Sequence, residues 1–155
     1  MIQRIQSLYL SLTILLSLLF LKGSFLSFIN KSGAVVKHTF TSIIKSTERE
    51  GSELVDKVWP LTIILILVAI LSLLTIFLYN KRSIQLCLSK ILIGLVSGLI
   101  LVSGYYSYVI ITNYSGKLVP GVKMFLLLLM LILSILAFRG IMKDDKLVKS
   151  YDRLR

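Results

Sequence analysis

The amino-acid sequence predicts an all-α integral membrane protein: a four-transmembrane-helix bundle with an outer loop and a cytoplasmic amphipathic C-terminal helix. Three observations predict it. The 155 residues are 56% hydrophobic, with a mean hydropathy of +0.89, well above the usage of a soluble domain of this size. The apolar residues come in four blocks, about 5–22, 60–79, 91–112 and 123–138, each close to the ~20 residues that cross a hydrocarbon core of roughly 30 Å. The 18 Lys and Arg, against 7 Asp and Glu, lie between or at the ends of these blocks, where cations orient a membrane protein and meet anionic headgroups. The whole chain, 1–155, reads as one transmembrane domain.

The first block follows Arg4 and runs uncharged from Ile5 to Leu21. A cleaved secretory signal ends in a small-x-small site; this run ends in Leu21, Lys22 and then Phe25 and Phe28, so the sequence predicts a retained helix. Ser7 and Ser11 form a small-xxx-small pair, a helix-packing signature that lets a second helix approach closely. Residues 23–58 then turn polar and hold no run long enough to cross, which makes them the outer loop. Within it, Val35 to Ile43 mixes β-branched and polar residues, as a short strand does, while Thr47 and Glu50 match a capping box ahead of the next helix. His38, the single histidine, is expected in solvent.

The second block is the most complete span. Trp59 and Tyr79 place amphipathic rings at its two ends, Pro60 suits a first helical turn, and Lys81 and Arg82 stop it abruptly. The connection 80–90 has three cations, Lys81, Arg82 and Lys90, and no acid. The third block carries Gly94, Ser97, Gly98, Leu101 and Gly104 at helical spacing, which predicts a face for close backbone packing. Tyr105 and Tyr108 fit an aromatic belt at the outer interface, as Trp59, Tyr79, Lys81 and Arg82 do at their own levels. After an outer loop at 113–122 the fourth block is mostly Leu, Ile and Met, and the charged tail 139–155 puts Leu147, Val148, Tyr151 and Leu154 on one helical face, a candidate partner contact.

Orientation rests on charge density. Lys and Arg divide 10 to 8 between the side holding both termini and the side holding the outer loops, but the acid-free turn decides for the first side as the cytoplasmic one. No catalytic, cofactor-binding or metal-binding pattern is present: the interiors of the apolar blocks hold no Asp, Glu, Lys, Arg or His, and a single cysteine, Cys87, excludes an internal disulfide, a CxxC pair and a cysteine-based zinc site. The sequence therefore predicts no enzyme, no cofactor, no nucleic-acid partner and no identified small-molecule substrate. Its partners are the lipid bilayer and other membrane proteins or a second copy of itself. An accessory or scaffold subunit of a larger inner-membrane complex is the favoured reading; a small-solute transporter or channel working as a homo-oligomer is the alternative.

Four stretches, Met1 to Gln6 (MIQRIQ), Trp59 to Leu61 (WPL), Thr75 to Leu86 (TIFLYNKRSIQL) and Lys143 to Arg155 (KDDKLVKSYDRLR), together resemble a family of small four-helix inner-membrane proteins of Bacteroidota named only as a domain of unknown function. Where family members often carry another basic residue after the turn glutamine, this chain has Cys87. The resemblance implies the four-span topology and an envelope location, while the cytoplasmic placement of both termini rests on the charge density alone. It implies no activity.

Overall fold

In the computed structural model the described residues are 3–22, 24–29, 35–47, 51–79, 81–114, 117–119 and 121–152. Four helices dominate: α1 (Gln3–Leu21), α2 (Trp59–Phe77), α3 (Arg82–Tyr114) and α4 (Val122–Asp152). They pack in sequence order around the bundle, with α4 returning against α1. Three stretches are long and apolar enough to cross a membrane, Trp59–Phe77, Arg82–Asn113 and Val122–Val148; α1 contributes the shorter apolar run Ile5–Leu21.

A repeat of three and four residues explains the packing. The inward positions are Gln6, Leu10, Thr13, Ser17 and Phe20 on α1, then Leu61, Leu65, Val68, Ser72 and Thr75 on α2. On α3 they are Gln85, Ser89, Leu92, Val96, Leu99, Ser103, Ser107 and Ile110, and on α4 Leu127, Met130, Ser134, Ala137 and Ile141. Steps of three and four average about 3.5 residues, the spacing that keeps one seam of each helix facing its neighbours in a bundle.

The chain is not all-α. Five short strands form one antiparallel sheet: β1 (Leu26–Ile29), β2 (Val35–His38), β3 (Ser42–Thr47), β4 (Gly51–Lys57) and β5 (Lys117–Val119), in the order β4-β3-β2-β1-β5. The region read as an outer loop supplies the first four strands as a meander, and the connection between α3 and α4 adds β5 beside β1, pairing Ser27 with Val119 and Ile29 with Lys117. The alternation at Val36, Lys37 and His38, in, out and in, is the period of a half-buried strand. Phe25, Phe28, Phe40 and Ile43 bury on the same side, so the sheet covers one end of the bundle with an aromatic layer that includes Phe20.

The sheet replaces the helical turn expected from Thr47 and Glu50. The backbone of Thr47 ends β3 and β4 begins at Gly51, while residues 48–50 lie outside the described residues. A charged strand such as GSELVDK can exist because β4 has its ladder on β3, with a register irregularity between Ile43 and Ile44. Gly121 marks where the second connection passes the first: a Cβ there would lie 2.8 Å from the carbonyl oxygen of Phe25.

Two further boundaries differ from the sequence reading. The connection at 80–90 is short, because α2 ends at Phe77 and α3 begins at Arg82, with Lys81 N–H donating to the Leu78 carbonyl at 3.1 Å and Gln85 N–H to the Lys81 carbonyl at 3.0 Å. The tail is no separate helix. From Val122 to Asp152, α4 continues without a break, 31 residues that extend about 46 Å at 1.5 Å per residue, longer than a hydrocarbon core of roughly 30 Å.

Candidate functional site

The bundle interior is built from apolar side chains and hydroxyls that turn back on their own helices. Thr13, Ser17, Ser72, Thr75, Ser89, Ser103, Ser107 and Ser134 each donate to a carbonyl three or four residues earlier, over 2.6 to 2.9 Å. Each hydroxyl is thereby satisfied without a partner on another helix, and its small volume lets neighbouring backbones approach. Among the described residues, no three His, Cys, Asp or Glu side chains come together to hold a metal ion.

At the bundle end away from the sheet, polar groups do cross between helices. Gln6 on α1 donates through Nε2 to Asp144 Oδ2 on α4 at 2.7 Å, and Arg82 on α3 reaches the Asp144 carbonyl through Nη1 at 3.4 Å. Gln85 on α3 donates to the Thr75 carbonyl of α2 at 3.1 Å. Together with Ser7, Tyr79 and Ile141 these groups surround a small space of about 20 Å3, enough for one water molecule or so. Gly140 makes room for this arrangement, since a Cβ on it would sit 2.8 Å from Gln6 Cγ. The cluster ties all four helices at one end and offers no room for a substrate.

His38 is not in solvent. It is 1% exposed, faces inward from β2, and lies between the rings of Phe25 and Tyr106, with centroids at 6.0 and 6.3 Å. Neither ring nitrogen has a hydrogen-bond partner. Burial disfavours the charged imidazolium and holds the pKa of His38 down at about 4. The signal for this burial was the Val36-Lys37-His38 alternation, which a strand converts into one inward and one outward face.

The packing face expected on α3 points away from the rest of the chain. Gly94 and Gly104 are exposed, Ser97 and Gly98 are half-buried, and a Cβ on any of the three glycines would meet nothing within 4 Å. The inward small residues of α3 are instead Ser89, Ser103 and Ser107. Ser7 and Ser11 are also exposed on α1. Gly104 borders an apolar groove of about 210 Å3 between α3 and α4, beneath Phe25 and Leu26.

Trp59, Tyr79, Lys81, Tyr105 and Tyr108 are exposed near the two bundle ends, whereas Arg82 is half-buried against α4. Leu147 and Val148 are exposed on the last turns of α4; the side chains of Tyr151 and Leu154 lie outside those described. Asp144, at the start of the same charged tail, is engaged within the chain by Gln6. Two groups that bridge distant elements were not read from the sequence: Gln6, which lies within the first apolar block, and Lys123. The Lys123 ammonium donates to the carbonyls of Leu19, at 3.4 Å, and Lys22, satisfying acceptors at the end of α1.

The chain belongs to the family described as Domain of unknown function (DUF4293), whose profile matches residues 2–154. No curated protein matches it.

Proposed function

We propose that this family member is a non-enzymatic, multi-pass inner-membrane protein that serves as an accessory or scaffold subunit, meeting another membrane protein along the outer face of α3. One observation carries the reading: Gly94, Gly98 and Gly104 lie on a long apolar helix with open space where a Cβ would project. In a bilayer, where lipid tails are as apolar as leucine, helices associate through close van der Waals approach, and glycines permit it. Among the described residues nothing lies within 4 Å of where their Cβ atoms would be. The interior favours a subunit over a solute path, because its buried hydroxyls bond their own helices and leucines fill the space between them.

The proposed orientation has the sheet outside and both chain ends in the cytoplasm. It is supported by the cations Lys81, Arg82 and Lys90, which occur in one stretch of sequence without an acid among them, at the end opposite the sheet. The test is extraction of the full chain in mild detergent, followed by mass spectrometry of what accompanies it, for the wild type and Gly98→Leu. A heteromeric complex lost in the variant is the expected result. A homo-oligomer alone, or a complex indifferent to leucine at position 98, overturns the reading.

A further inference from the structure

A second feature lies at the sheet end, where the β3–β4 hairpin meets the first turn of α2. Thr41, Ser42, Lys57, Trp59 and Thr62 line an open groove of about 310 Å3. Its base is fixed by two hydrogen bonds, Val58 N–H to the Thr41 carbonyl at 3.1 Å and Thr62 Oγ1 to the Phe40 carbonyl at 2.8 Å. Its walls differ in chemistry. Lys57 holds its ammonium 5.8 Å from the centroid of the exposed Trp59 ring, and Thr41 and Ser42 complete the lining, the Ser42 hydroxyl lying 3.1 Å from Thr39 Oγ1.

The position of the groove relative to a bilayer follows from helix length. At 33 and 31 residues, α3 and α4 overrun the hydrocarbon core, but α2 has 19, about 28 Å, which matches the core without slack. Trp59, the first residue of α2, therefore falls at the headgroup boundary. Below it, Ile63, Ile66 and Ile70 continue as an exposed apolar track on the outer face of α2. A cation and a hydroxyl at the headgroup level, with an apolar track leading from them into the core, match both parts of one molecule.

From these observations we infer that this groove is a binding site for a single anionic phospholipid, its phosphate headgroup held by Lys57 and the Thr41 hydroxyl and its acyl chain laid along α2. The apolar track selects a lipid over a soluble phosphate, which would use the cation and leave the track uncovered. The inference rests on the membrane reading above.

Trp59 is the only tryptophan in the chain, so its fluorescence reports on the groove alone. The full-length protein is reconstituted in phosphatidylcholine vesicles in which either phosphatidylglycerol or phosphatidylcholine carries brominated, quenching acyl chains. Quenching by the anionic lipid should need about fivefold less of it than of the zwitterionic one, the worth of one lysine at an anionic surface. Lys57→Gln should remove that preference, Lys57→Arg should keep it, and Lys37→Gln, the same charge change on the exposed side of β2, should leave it intact. Equal quenching by the two lipids in the wild type overturns the site and leaves the membrane reading standing; no quenching by either overturns both. A Lys37→Gln effect equal to that of Lys57→Gln shows diffuse charge in place of a site. Loss of the preference in inorganic phosphate at constant ionic strength shows a soluble-anion site; either result overturns the inference.

Discussion

Gln6 donates a hydrogen bond of 2.7 Å to the carboxylate of Asp144, joining the first turns of α1 to the far part of α4. The two partners are unequal in surroundings: Gln6 is 4% exposed and Asp144 half-buried. Removing the acid strands a buried amide, while removing the amide leaves a carboxylate that water can still reach. Asp144→Ala should therefore cost more than Gln6→Leu, about 2 kcal/mol against about 1 or less. Thermal melting in detergent measures the difference, and equal or reversed losses would show that the bond does not contribute in this way.

Gly140 and Gly98 make a matched pair. A Cβ at position 140 meets Gln6 Cγ at 2.8 Å, while one at 98 meets nothing within 4 Å. Gly140→Ala should lower stability by about 1 to 2 kcal/mol, the scale of mild overpacking, and shift Gln6 from Asp144. Gly98→Leu should leave the isolated chain's melting temperature where it was, within the about 0.5 kcal/mol typical of surface changes. A large loss on Gly98→Leu in a demonstrably monomeric sample contradicts the outward placement of that face.

His38 gives a pH dependence of known sign. Its pKa is about 4 in the fold and about 6.5 in an unfolded chain, so the fold binds fewer protons between these values. Stability from the neutral ring is present above about pH 6.5 and is lost as pH falls toward 4, by up to roughly 3 kcal/mol if the whole shift is realised. His38→Phe should flatten the melting profile over that window. An unaltered acid limb would assign it to other groups.

Cysteine labelling tests the orientation. In a Cys87→Ser background, Ser42→Cys should react with a membrane-impermeant reagent from outside intact cells, and Ser150→Cys only after the membrane is opened. The reverse pattern inverts the topology.

The helices were legible because hydrophobic blocks report themselves directly, and the ends of α2 were marked by Trp59, Pro60 and Tyr79. The limits of α3 and α4 were not, since charge was taken as the end of a helix. Arg82 and Lys90 in α3, and Lys143 in α4, are compatible with helix wherever it leaves the apolar layer. Most of the sheet was hidden for another reason. Only Val35 to Ile43 has strand chemistry of its own; β4 and β5 are set by pairing, and strand propensity depends on neighbours more than on the segment itself. The small residues of α3 were found, but two faces carry them, and spacing alone does not say which one meets the chain. Gly94 and Gly98 face out, Ser103 and Ser107 in.

The late arrival of β5 imposes an order of assembly. Strands β1 to β4 precede α2 in the chain and can form their meander as soon as they are made, but the outer edge of β1 waits for residues 117–119, which follow all of α3. During that interval Ser27 to Ile29 present unpaired backbone groups, a template on which a strand from another nascent chain can pair. The edge of the sheet at β1 is thus the last to be completed, and residues 117–119 must return from the far end of α3 to complete it.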